Sequence, residues 1–136
     1  MDSSKLTLTA LRFNERINQQ DPEGLAELMT DDHAFVDSEG NVTKGKDAMK
    51  EGWRHFFERY PDYRNNFTSV TIQDNVAIII GYSKCSYKPL DGPNMWTAKI
   101  RGERVSEWRV YWLDQRHDQN SAQHGRPYEE QNSRQK

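Results

Sequence analysis

The chain has 136 residues, 29% of them charged, with a formal net charge of −2 at pH 7. That length supports one domain with one core. The balance leaves no basic stripe for nucleic acid. The longest apolar run, Val76-Ala77-Ile78-Ile79-Ile80, is far short of the roughly 20 residues that span a bilayer. No basic segment followed by an apolar run opens the chain, so no secretory signal is read there. The single cysteine, Cys85, allows no internal disulfide, and its place in a strand-like run predicts a buried thiol. Together these predict a cytoplasmic protein that binds neither membrane nor nucleic acid. The Asn-x-Thr triplets at Asn41 and Asn66 are then chance matches.

In chain order, Leu6, Ala10, Phe13 and Ile17 recur on one face of a helix over residues 5–19. Asp21-Pro22-Glu23 is a helix start: Asp at the N-cap, Pro at the first position, an acid in the first turn. A short helix through Leu25, Leu28 and Met29 follows. Residues 32–37 read as a strand. Lys46 to Arg59 reads as a third helix, with Met49, Trp53, Phe56 and Phe57 on one side, stopped by Tyr60-Pro61-Asp62. Strands are then predicted over 63–72 and 76–87 about a turn at Asp74-Asn75. After the loop Pro89 to Pro93, strands over 95–101 and 104–113 pair around Gly102-Glu103. Helices first and an antiparallel meander after them mean α+β. Residues 115–136 contain no Leu, Ile, Val, Phe, Trp or Met. They read as a polar, mobile tail, with His117 and His124 incidental to it, which leaves a domain over 5–114.

The segments RFNERINQQDPEGLAELMTDD, HAFVDSEGN, GKDAMKEGWRHFF, YPDYRNNFTSV and ERVSEWRVYW, in this order, resemble the nuclear transport factor 2-like superfamily. The SnoaL-like and ketosteroid-isomerase-like members are the most similar. The resemblance covers residues 5–114. It implies a cone-shaped α+β domain in which a strongly curved, mostly antiparallel sheet wraps the helices around a deep apolar cavity. The superfamily contains isomerases, cyclases, epoxide hydrolases, dehydratases and binding modules, so the fold alone leaves the chemistry open.

Asp37 is the candidate catalytic residue. In the ketosteroid-isomerase-like members its position is the general base that moves a proton beside a carbonyl, and a desolvated carboxylate suits that task. Asp37 reads equally as a cap on the turn at Ser38 to Gly40. His33 shares its strand face, but four residues along a strand span roughly 13 Å, so the two cannot bond directly. The resemblance places the isomerases' enolate-holding Tyr and acid at Phe13 and Trp96, neither of which can replace them. An epoxide-hydrolase triad is also unsupported, because the parity of Arg109 sets it opposite Trp108 and Trp112.

Tyr63 and Asn65 share a face with Phe67 and could donate to a ligand oxygen, or could sit in a solvated loop. Trp53, Trp96, Trp108 and Trp112 could wall a flat ligand, or simply fill the core. Phe13 and His33 complete the candidate ligand contacts. Cys85 has no basic neighbour on its own face and is not read as a nucleophile. TKGKDAM lacks the glycine-rich lead-in of a phosphate loop, and Asp31-Asp32-His33 point apart, so neither phosphate nor metal chemistry is expected. Ile78, Ile80 and Tyr82 face the same way as Arg109, Tyr111 and Leu113, away from the helices. A second copy of the chain is the expected cover for that convex face. Three readings therefore remain: a cofactor-free acid–base enzyme of isomerase, cyclase or lyase type with Asp37 as base; a binding domain for a small apolar molecule; and a dimerisation module.

Overall fold

A computed structural model describes residues 2–114. The predicted tail at 115–136 lies outside the described residues. The elements run α1 (Ser3–Asn18), α2 (Pro22–Glu27), β1 (Met29–Val36), β2 (Val42–Lys44), α3 (Lys46–Arg59), β3 (Arg64–Gln73), β4 (Val76–Lys84), a 3-10 turn (Lys88–Leu90), β5 (Gly92–Arg101) and β6 (Arg104–Trp112). The six strands form one open sheet in the order β2-β1-β6-β5-β4-β3. Only β1 and β6 pair in parallel; the other neighbours are antiparallel. This is the α+β architecture expected from the sequence, with the sheet curved around the helices and not closed.

Helix α1 forms as its periodicity dictates. Leu6, Ala10, Phe13 and Ile17 are buried on one face, and Asp2 caps the helix by accepting from Lys5 N. Its C-terminal end is tied to the sheet by a clamp that no periodicity announces. Asn18 Nδ2 donates to Asn65 O at 2.9 Å, while Asn65 N donates to Asn18 Oδ1 at 2.8 Å. Asp21 caps α2 through Gly24 N, as its Asp-Pro-Glu start predicts. Helix α3 buries Met49, Trp53 and Phe57.

The elements differ from the sequence reading at β1, at β2 and about the loop after β4, where β4 ends at Lys84 rather than at 87 and β5 begins at Gly92 rather than at 95. β1 begins at Met29, because a register shift between Met29 and Ala34 lets the strand continue past the exposed Asp31 and Asp32. The segment after Asp37 contains a further strand, β2, whose three residues are all exposed. An exposed edge strand has no buried face, so it shows no alternation to detect.

Inside the cone, Phe13, Ile79, Trp96, Ala98, Val105 and Trp108 are almost completely buried. β4 bends around a bulge in β3 between Phe67 and Ser69. At that point Gly81 lies so close to the backbone of Asn66 that a Cβ would overlap the Asn66 carbonyl.

Candidate functional site

α3 packs against the concave face of the sheet without filling it, and leaves a cavity of about 190 Å³. β6 contributes Trp108, Val110 and Trp112, three alternate residues of one strand face. α3 contributes Met49, Gly52, Trp53 and Phe56, spaced as one helical stripe. Phe35 and Thr43 come from β1 and β2, Leu90 from the 3-10 turn, Asn94 from β5, and Tyr63 from just before β3. The aromatic rings stand roughly at right angles to one another. Phe35 meets Trp53 at 71°, Trp53 meets Phe56 at 85°, and Phe56 meets Tyr63 at 87°. Edge-to-face contacts of this kind lock the walls without closing the space between them. No charged side chain is among the lining residues.

The polar end of the cavity is a buried network centred on Ser83. Ser83 Oγ donates to Asn65 Oδ1 at 2.6 Å, Asn94 Nδ2 donates to Ser83 Oγ at 2.7 Å, and the Tyr63 hydroxyl lies 3.1 Å from the same oxygen. Ser83, Asn65 and Asn94 are all nearly inaccessible to solvent. Tyr63 and Asn94 reach the cavity, whereas Asn65 stands behind them, with its Nδ2 buried and unpartnered.

Of the predicted ligand contacts, the structure brings Trp53, Trp108, Trp112 and Tyr63 together around this cavity. Trp96 lies outside the lining, fully buried against Phe67 at 5.1 Å. Phe13 lies outside it too, supporting Trp108 from behind at 4.7 Å. His33 packs 5.8 Å from Phe13, and its Nδ1 is 2.7 Å from Val105 O. A carbonyl can only accept, so Nδ1 carries the proton; Nε2 is buried without a partner. Burial pushes the His33 pKa below its usual value.

Asp37 lies beyond the end of β1, in the turn, and is not a lining residue. Its Oδ1 accepts from Glu39 N and Asn41 N, both at 2.9 Å, and Oδ2 accepts from Asn41 Nδ2 at 3.2 Å. Asp37 N donates to Asn41 O and Asp37 O accepts from Gly40 N, each at 3.0 Å, with Gly40 at φ +88°. The carboxylate thus organises the hairpin that leads into β2, and so sets Thr43 against the cavity. Cys85 is buried, and burial pushes its thiol up to about 11, far from the range of a nucleophilic thiolate. Arg109 lies on the opposite face, its guanidinium over Tyr111 at 5.0 Å, as its parity requires. Among the described residues no group of His, Cys, Asp or Glu is placed to hold a metal ion.

Sequence reading missed Asn94 and Thr43. Asn94 shares the strand face of Trp96 and Ala98, and that parity was the available signal; Thr43 had none, because β2 is irregular to the eye.

Residues 10–112 match the family model of the SnoaL-like domain, and the chain belongs to that family. The fold is shared with solved structures of low sequence identity. A protein provisionally named a SnoaL-like polyketide cyclase, from Shewanella denitrificans OS-217, is 14% identical with a TM-score of 0.72, over 87% of this chain and 97% of that one. A SnoaL-like protein of unknown function from Burkholderia thailandensis E264 is 10% identical with a TM-score of 0.71, over 84% and 99%. A protein provisionally named a ketosteroid isomerase, from Kribbella flavida DSM 17836, is 15% identical with a TM-score of 0.68, over 83% and 81%. A search of curated proteins returns no match.

Proposed function

We propose that this SnoaL-like domain binds a small, uncharged ring compound in the cavity between α3 and β6. The carrying observation is an aromatic-walled space of about 190 Å³ with no charged residue in its lining. An apolar cavity of about 150 Å³ holds benzene, so a ligand of one or two rings fits this one. Binding is the reading that the geometry favours over acid–base catalysis by Asp37. For Asp37 to act as a base, its carboxylate would have to leave three N–H donors and turn from the hairpin toward the cavity. The cyclase and isomerase names of the relatives support the enzyme reading only through shared fold.

The test is a toluene titration followed through the tryptophan indole N–H resonances. Those of Trp53, Trp108 and Trp112 shift, while Trp96, which lies outside the lining, stays near its free position. Trp112→Ala weakens binding by about tenfold or more. Binding of toluene that spares all three lining indoles overturns the proposal. Binding that survives Asp37→Asn supports it over the enzyme.

The domain further pairs with a second copy through its convex sheet. Ile80 and Tyr82 are more than a third exposed there, and Ile78, Met95 and Tyr111 border them across strand pairs Ile78↔Thr97, Ile80↔Met95 and Met95↔Tyr111.

A further inference from the structure

We propose that the cavity opens between Gly52 of α3 and Thr43 of β2, and that Gly52, by carrying no side chain, sets the width of the ring compound that can enter. This rests on the cavity being a ligand site. Of the described lining residues, only Gly52 and Thr43 are exposed to solvent; the others are buried or half-buried. β2 packs against α3, so these two residues stand on neighbouring elements at the rim of the space. The rest of the α3 stripe, Met49, Trp53 and Phe56, presents bulk to the cavity. At Gly52 there is none.

The fold does not require a glycine at this position. Gly52 lies in the body of α3 and is not among the glycines with positive φ, which are Gly40, Gly45, Gly92 and Gly102. A glycine inside a helix destabilises it relative to alanine, because folding removes more backbone freedom from it. Beyond its chain neighbours and its own helix backbone, a Cβ at Gly52 would meet only Met49 Sδ at 3.6 Å and Met49 Cε at 3.7 Å, an ordinary van der Waals contact. Gly81 is the contrast, since there the Asn66 carbonyl excludes a Cβ. Met49 is itself a lining residue, so a side chain at 52 would grow beside the cavity wall. The missing side chain therefore weakens the helix and leaves the rim open, and each methylene added at 52 narrows it.

The test is a size ladder at residue 52, read as the dissociation constants of toluene and naphthalene from the indole N–H shifts of Trp53 and Trp108. Gly52→Ala is more stable than wild type in urea unfolding. It binds toluene within about twofold of wild type and naphthalene about tenfold more weakly, the scale of one methylene too many in a packed site. Gly52→Leu closes the rim and weakens both compounds by more than about tenfold. Glu58→Leu, at an exposed position of the same helix outside the lining, leaves both affinities unchanged. A loss of stability in Gly52→Ala means that the fold itself needs the glycine, and overturns the proposal. So does wild-type affinity for both compounds in Gly52→Leu or, where that variant does not fold, wild-type affinity for naphthalene in Gly52→Ala. Either result leaves the cavity reading standing. Binding of neither compound by wild type removes both.

Discussion

Asp37 illustrates how position and partners, rather than residue type, set a carboxylate's task. Its two oxygens accept from two backbone amides and one side-chain amide within the same turn. A hydrogen bond to a charged group contributes about 1.5–3 kcal/mol net of the exchange with water, and less where water can replace it. We therefore expect Asp37→Ala to destabilise the domain by roughly 1–3 kcal/mol in urea unfolding, with toluene affinity falling no more than the disturbance of Thr43 requires. Asp37→Asn, which keeps one acceptor oxygen, costs less. His33 gives the pH prediction. Burial lowers its folded pKa below the unfolded value near 6.5, so the unfolded chain takes up a proton at a pH where the folded one does not. Its contribution is fully present above about pH 6.5 and is lost as the pH falls toward the folded pKa. Thermal melts should show a declining melting temperature across that window, and His33→Gln should flatten the decline.

At the scale of the element, β3 and β4 carry the bend that makes the cone. The bulge between Phe67 and Ser69 brings the β3 backbone against Gly81, where a methyl group has no room and the obstacle is a carbonyl rather than a movable side chain. Gly81→Ala should cost about 1–3 kcal/mol through this overlap, read in urea unfolding. It should also shift the backbone resonances of Asn66 and Phe67 more than those of α1. The loop after β4 is held differently. Asp62 accepts from Ser86 N at 2.9 Å, Asp91 accepts from Cys85 N at 3.0 Å and from the Tyr82 hydroxyl at 2.8 Å, and these bonds keep both carboxyls below their usual range. That loop carries Leu90 to the cavity, so two surface carboxylates help define an apolar wall.

At the scale of the whole molecule, the two faces of the sheet are covered differently. The concave face is covered by helices and retains a cavity; the convex face presents Ile80 and Tyr82 to solvent. If a second copy covers them, sedimentation at micromolar concentration gives a dimer, and Ile80→Lys gives a folded monomer, because a buried unpaired ammonium disfavours association. A monomer in the wild type would return that face to solvent and leave the domain as a single binding unit. Within the described residues no helix is long and apolar enough to cross a membrane.

The sequence by itself determined what depends on spacing. The helical period of Leu6, Ala10, Phe13 and Ile17, the Asp-Pro-Glu start of α2, the strand parity of Trp108, Val110 and Trp112, and the family segments together prescribe a SnoaL-like cone with an aromatic inner face. These are local or near-local properties, repeated often enough to be read along a line. Tertiary structure alone decided which aromatic residues fill the core and which leave a space. Trp96 and Trp108 have the same chemistry and face the same side of the sheet, and Phe67 lies against both rings, at 5.1 and 6.4 Å, yet only Trp108 borders the cavity left beneath α3. It also decided the direction of each polar group. Asp37 turns into its own hairpin, and the Tyr63 hydroxyl lies beside Ser83, twenty residues further along the chain. A hydrogen bond depends on where both partners lie in space, and one-dimensional spacing records only how far apart they are along the chain.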